Sequence, residues 1–363
     1  QQAALRRQTM GMLELIAELV MVLLVLPALV VVVLTMLGPI APVTGRVIAT
    51  PLGPTPIAVL IAWGAVGFVL TVGMVAGEMV TTLRPRGHVT RFDRPARTRT
   101  ILTESAVNPA AAVLVAVVPA LAVGGVLLVA DGRVGMALLA GFFAWAVPTG
   151  AVGWRRAYVD DAKDDHLRDL VHAVAGYIEL GMPFADALDH VATDAELGPL
   201  RPDVARLAAD LRLRGRHPDH QRTTQEVALG RFGERVGTPL ARRTVGVIAS
   251  ALAAGAEPRQ IFERLQLEVG ELDREKQALR AEMQVYAAVG WTTALLVVGI
   301  AVTATTQLLD ELATLAPMGG QMLSGARYRI MMTTTSTAIA AGWFAGVASR
   351  DRYAGLLHAG VLG

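Results

Sequence analysis

The sequence predicts an all-α membrane protein with about six transmembrane helices and a cytoplasmic six-helix bundle. Three observations carry this. First, charge is segregated: 41 of the 64 Asp, Glu, Lys and Arg residues fall in 154–285, and the other 231 positions hold only 23. Second, six apolar runs outside that stretch approach or exceed the roughly 20 residues a helix needs to cross about 30 Å of hydrocarbon. Third, apolar residues within 154–285 recur with helical period, and Pro and Gly punctuate them as helix starts and stops.

The six runs are about Met12–Leu37, Ile57–Val80, Pro109–Ala130, Gly135–Trp154, Tyr286–Leu309 and Ile330–Val347. Backbone groups in lipid must be bonded internally, so each reads as a helix. None alternates in hydrophobicity as a spanning strand does. The first run is too long for a signal peptide. The third and fourth are joined by the tight turn Ala130-Asp131-Gly132-Arg133, and the sixth is the most polar.

Orientation follows from arginine placement. Arg84, Arg86, Arg91, Arg94, Arg97 and Arg99 follow the second run, opposed only by Asp93. That side is expected to be cytoplasmic, with Arg6, Arg7, Arg155, Arg156, Arg350 and Arg352 in agreement. Loop Asp310–Arg327 is then outside, with Arg327 and Arg329 as mild exceptions. This divides the chain into a first hairpin with a cytoplasmic stub (1–83), an Arg-rich loop (84–108), a second hairpin (109–153), a cytoplasmic helical domain (154–285) and C-terminal transmembrane helices (286–363).

In the charged domain the first helix covers about Asp161–Leu180 and stops at Gly181. The second starts at Pro183 and covers Phe184–Thr193. The third runs from near Pro202 to Arg214, and the fourth covers Thr223–Arg235. The fifth has Thr238 as N-cap with Pro239 after it, and ends at Gly255. The sixth opens at Pro258 and runs unbroken into the fifth membrane span. Leu167, Leu170, Val171, Val174 and Ile178 form one apolar stripe, and Ile261, Phe262, Leu265, Leu272 and Leu279 another. The segments at Gly181–Pro183 and Gly255–Pro258 echo one another, a pattern that any helix hairpin shares. Alternating helix direction places both, and the Gly215–Gln221 turn, away from the membrane.

Several chemistries are excluded. Zero cysteines remove disulfide scaffolds, thiolate metal sites and cysteine catalysis. No GxxxxGK[ST], HExxH or GxSxG motif is present. Neither a cofactor nor an enzymatic activity is expected. Asp160, Asp161, Asp164, Asp165, His166 and Asp169 invite a metal reading, but an acidic first helical turn favoured by the dipole explains them. Arg212, Arg214, Arg216 and His217 read as a solvated helix end or a protein-contact surface. The loop arginines suit anionic lipid head groups better than nucleic acid, since aromatics do not interleave with them. Glu14, Glu18 and Glu78 lie near span ends, so a transporter with a regulatory bundle, the rival reading, lacks a midplane charge. Gly64 with Gly67, or Gly342 with Gly346, are candidate close-packing sites between helices.

These features together resemble the F-domain family of type II secretion and type IV pilus platform proteins. The archaeal branch, with archaellum, archaeal pilus and tight-adherence C-like members, is the nearer match. The residues that carry it are Gly181-Met182-Pro183-Phe184-x-x-Ala187-Leu188, then Gly255, Pro258 and Phe262. The return helix Leu272-Asp273-Arg274-Glu275-Lys276 leads through Met283 and Tyr286 into the membrane. The tail pieces are Ala340–Gly346 and Ala354–His358.

The resemblance implies a non-enzymatic plasma-membrane platform beneath a filament, contacting a cytoplasmic hexameric secretion ATPase and pilin or archaellin subunits, as a homodimer. Gly181, Pro183, Gly255 and Pro258 become structural motif positions. Arg212, Arg214, Arg216, Glu257 and Arg259 become candidates for the ATPase-facing surface. The family pattern has two F domains and this sequence shows one, which points to a fragment or a shortened relative.

Overall fold

A computed structural model describes residues 2–37, 46–50, 53–83, 98–212, 224–308 and 320–363. Those residues are almost wholly helical, and six helices are long and apolar enough to cross a membrane. They fall into two compact units: one holds the described residues up to 83, 98–154 and 281–363, the other 155–280. The Arg-rich run 84–97 lies outside the described residues.

The first unit opens with α1 (Gln2–Leu37), a two-stranded antiparallel hairpin of β1 (Val47–Thr50) and β2 (Gly53–Pro56), and α2 (Ile57–Leu83). The hairpin pairs Val47 with Pro56 and Thr50 with Gly53, an ordered piece within an expected loop. Then come α3 (Thr98–Glu104), α4 (Pro109–Val115) and α5 (Val117–Asp131). The third expected span is thus broken at Ala116. Pro119 is the cause: it has no N–H to offer the Val115 carbonyl, and its ring crowds that oxygen. Trp145 Nε1 donates to the Val113 carbonyl at 3.1 Å, satisfying one backbone acceptor beside the break. Asn108 caps α4 by accepting from the Ala110 N–H at 3.0 Å.

Gly132, at φ +67°, closes the turn into α6 (Val134–Glu179). Expectation and structure differ here. The fourth span and the first bundle helix are one continuous helix, because Arg155 to Asp160 contain neither Gly nor Pro. The acidic cluster therefore lies deep inside α6, not in a first turn, and the dipole explanation for it fails.

The second unit continues with α7 (Phe184–Asp194), a 3₁₀ turn at Gly198–Leu200, α8 (Arg201–Arg212), α9 (Thr224–Val236) and α10 (Pro239–Ala253). Thr238 caps α10 as expected, accepting from the Ala241 N–H at 3.2 Å. With the ends of α6 and α11 (Pro258–Thr303) this makes the six-helix bundle. Its core is aliphatic and includes the fully buried Leu167, Val174, Leu197, Leu200, Leu229 and Phe232.

Back in the first unit, α11 ends in a π-helical turn, Ala304–Leu308. Next is α12 (Gly320–Ser349), which starts well before Ile330, so the end of the expected outer loop is helical. The chain then folds into α13 (Arg352–Leu362), capped by Asp351, which accepts from the Ala354 N–H at 2.8 Å.

The position of α12 explains its polarity. Within its span 78% is buried, against 11% for Pro109–Asp131, so it faces other helices more than lipid. Buried Thr333, Ser336 and Thr337 donate to carbonyls one turn back, at 3.0, 2.7 and 2.9 Å, which removes their cost. Small residues bring its neighbours close. A Cβ on Gly342 would meet the His358 carbonyl at 2.6 Å, and one on Gly73 would meet the Ala340 side chain at 2.7 Å. A Cβ on Gly346 would collide with the Ala354 carbonyl. Gly64 and Gly67 face open space, so of the two expected close-packing pairs only Gly342 and Gly346 pack.

Candidate functional site: the turn end and charged stem of the bundle

The bundle helices alternate in direction, and cross-helix contacts fix the register. Arg201 at the start of α8 donates to the Ala192 and Thr193 carbonyls at the end of α7, both at 3.3 Å. Arg212 at the other end of α8 reaches back to Asp189 at 2.7 Å. Arg235, near the end of α9, lies between two carboxylates of α8, 3.9 Å from Asp203 near its start and 3.3 Å from Asp210 farther along, and Arg243 on α10 pairs with Glu268 on α11 at 2.7 Å.

Two loops at one end of the bundle share a hydrogen-bond pattern. The Gly181 N–H donates to the Ile178 carbonyl at 3.0 Å, and the Met182 N–H to the Tyr177 carbonyl at 3.1 Å. The Gly255 N–H donates to Leu252 at 3.0 Å, and the Ala256 N–H to Ala251 at 3.0 Å. Each is a helix stop with the six-to-one bond of a Schellman motif. Both glycines have left-handed φ, +85° and +76°, where a side chain is disfavoured. The echo between the two segments is therefore a repeat of one device. Just past the turns, Phe184 and Phe262 pack with ring centroids 5.5 Å apart, which brings the starts of α7 and α11 together. Leu180 stands beside the first turn with 77% of its surface exposed.

The charged candidates distribute around this end. Arg212 is exposed and paired with Asp189. Arg259 is exposed and lies 3.1 Å from Glu263, one turn on. Glu257 accepts from Gln260 Nε2 at 3.2 Å. Arg214 and Arg216 lie outside the described residues. Exposed pairs of this kind contribute about 0–1 kcal/mol, so they are readily exchanged for a partner's charges.

A second charged feature joins α6 to α11 within the bundle. Lys276 Nζ lies 2.8 Å from Asp164 and 3.2 Å from Asp161. Arg280 also contacts Asp161. One step along, Arg168 Nη1 meets Asp273 at 2.9 Å. In chain order the sign changes from acid to base on both helices, from Asp161 and Asp164 to Arg168 on α6 and from Asp273 to Lys276 and Arg280 on α11, and because the two run antiparallel each acid meets a base. A slip by one turn would set Arg168 against Lys276, or Asp164 against Asp273. The ladder thus specifies a single register. Sequence reasoning noted both charge runs but did not pair them; the same acid-to-base order on two helices of opposite direction was the available signal.

Asp160, next to this ladder, is buried, with Arg156 Nε at 3.2 Å. Burial pushes its carboxyl above the ordinary carboxylate range, and the charges of Arg156 and Lys163 oppose that shift. Lys163 itself lies 3.6 Å from Asp203. Among the described residues no group of three or more His, Cys, Asp or Glu side chains is arranged to hold a metal ion.

No curated protein and no solved structure matches the chain. The bundle does have a family counterpart. Residues 170–305, from Leu170 in α6 through every later bundle helix and into the π-helical turn, match the family described as type II secretion system (T2SS), protein F, which supports an F-domain assignment for that part of the chain.

Proposed function

We propose that this protein is a multi-pass membrane platform of a type II secretion or type IV pilus-like assembly machine. The observation that carries this is the coincidence of the family match at 170–305 with a helical bundle whose last helix runs unbroken into an apolar span. In this reading the bundle and the N-terminus are cytoplasmic, in line with the arginine-rich connections. The turn end, with Leu180, Arg212, Glu257 and Arg259, docks a cytoplasmic hexameric secretion ATPase. The register-locked α6 and α11 carry ATPase movement toward the membrane, where pilin or archaellin subunits enter or leave the filament base. An archaellum or archaeal pilus is the finer assignment, on the strength of the C-terminal sequence pieces. The platform acts as a homodimer and supplies no catalytic group.

The test is co-purification of the full chain with the secretion ATPase encoded beside it. Arg212→Glu with Arg259→Glu is expected to reduce recovery at least several-fold at low salt. Unchanged recovery would remove the turn end as the docking surface. Failure of the wild-type chain to recover any such ATPase, in vitro or by crosslinking in native membranes, would remove the platform reading.

A further inference from the structure

The membrane unit carries an arginine that the platform reading does not use. Arg329 lies on α12, six residues inside the apolar stretch that begins at Leu323, or about 9 Å along the axis at 1.5 Å per residue. Its Nε is buried and has no hydrogen-bond partner among the described residues. A guanidinium in that condition needs an anion.

The geometry says at what depth the anion sits. Tyr328, the preceding residue, packs against the first turn of α6: its hydroxyl occupies the space a Cβ on Gly135 would take, and Met332 Sδ lies 2.7 Å from the same point. Arg133, in the short turn between α5 and α6, stacks over the Tyr328 ring at 5.8 Å. That turn joins two apolar helices through Gly132 and Arg133 alone, so it marks a membrane surface. Tyr328 and Arg329 therefore stand at head-group level. The Arg329 side chain also runs back toward this surface, with Nη1 3.5 Å from where a Cβ on Gly325 would be. A long cationic side chain with an apolar stem packed on its helix and its charged head turned outward at the interface is snorkelling. An aromatic with two arginines at the interface is a combination that grips a phosphodiester. Asp131 holds Arg133 only loosely, at 3.7 Å with both side chains about half exposed, and leaves it available.

We infer that Arg329 and Arg133, braced by Tyr328, form a binding site for the phosphate of an anionic phospholipid in the leaflet at the α5–α6 turn. This inference stands independently of the ATPase reading.

The test uses the full chain in phosphatidylcholine nanodiscs doped with photoactivatable phosphatidylglycerol, with adducts mapped by mass spectrometry. Adducts are expected on peptides spanning 131–135 and 325–332. Their yield should fall about tenfold in Arg329→Ala, the scale of a lost charge-assisted hydrogen bond, and less in Arg329→Lys. Arg133→Ala, at an exposed turn position that leaves the fold intact, should lower it several-fold. Adducts on the 84–99 loop should be unchanged in every variant and serve as the internal reference. Three results would overturn the inference: undiminished adducts in both Arg329→Ala and Arg133→Ala, an equal yield from a photoactivatable phosphatidylcholine, or full competition by inorganic phosphate, which would make this a free-anion site.

Discussion

Lys276 on α11 reaches Asp164 on α6 at 2.8 Å, and the two side chains are only 20% and 13% exposed. This contact and its neighbours turn two charge runs, far apart in sequence, into a register-specific ladder. Lys276→Glu faces Asp161 and Asp164 with a third carboxylate in a half-buried setting. We expect a loss of about 2–4 kcal/mol, the scale for breaking a shielded pair. The swapped double variant Asp164→Lys with Lys276→Asp should recover part of it. Thermal unfolding of the detergent-solubilised chain reads both, and a swap no better than its single parents would remove the ladder as a register device.

The paired stops make a matched prediction. Gly181→Ala and Gly255→Ala each force a Cβ into left-handed backbone, at about 1–2 kcal/mol. Neither site has an atom within 4 Å of the added Cβ, so the whole effect is conformational and the two losses should agree. Gly181→Asn, which tolerates that region, should lose less. Unequal alanine losses by denaturant titration would mean that the two turns are not the same device.

Glycines in the membrane unit separate by what they touch. Gly346→Leu should prevent α13 from packing on α12 and lower the melting temperature sharply. Gly64→Leu meets open space and should change it little, within about 0.5 kcal/mol, as surface changes do. Comparable losses at both positions, measured by thermal shift in detergent, would contradict the packing described.

Asp160 predicts a pH effect with a definite sign. Its folded pKa is raised above 3.8, so between that value and the raised one the folded state holds more protons than the unfolded state. Stability then falls as pH rises through this window, and the burial penalty is fully present above it. Asp160→Asn removes that slope, and at neutral pH should match or exceed the parent wherever the lost Arg156 contact is smaller than the burial penalty. Unfolding free energies of the two proteins across mildly acidic pH decide this; parallel profiles would show that Asp160 is not the source.

Leu180 separates binding from stability. It is too exposed to support the core, so Leu180→Ser should leave the melting temperature within about one degree, since surface changes stay near ±0.5 kcal/mol. The same variant should weaken recovery of the ATPase partner. A stability loss without a binding loss would assign Leu180 to the fold.

What the amino-acid sequence determined by itself was whatever depends on composition and local order. The apolar runs located the spans, because crossing hydrocarbon needs length and hydrophobicity and little else. Pro183, Gly181, Thr238, Pro239, Gly255 and Pro258 bounded the bundle helices, because caps and breakers act within a turn of themselves. Tertiary structure decided the rest. The Asp161–Asp169 run looked like a helix start because its partners, Asp273 to Arg280, lie more than a hundred residues away. Gly64 and Gly342 read alike in sequence, and only the placement of α13 distinguishes an open glycine from one pressed against a carbonyl. The polarity of α12 looked like a weak span until its neighbours showed that it hardly meets lipid. Each of these depends on which surfaces face each other, and pairwise contact between distant segments leaves no local signature.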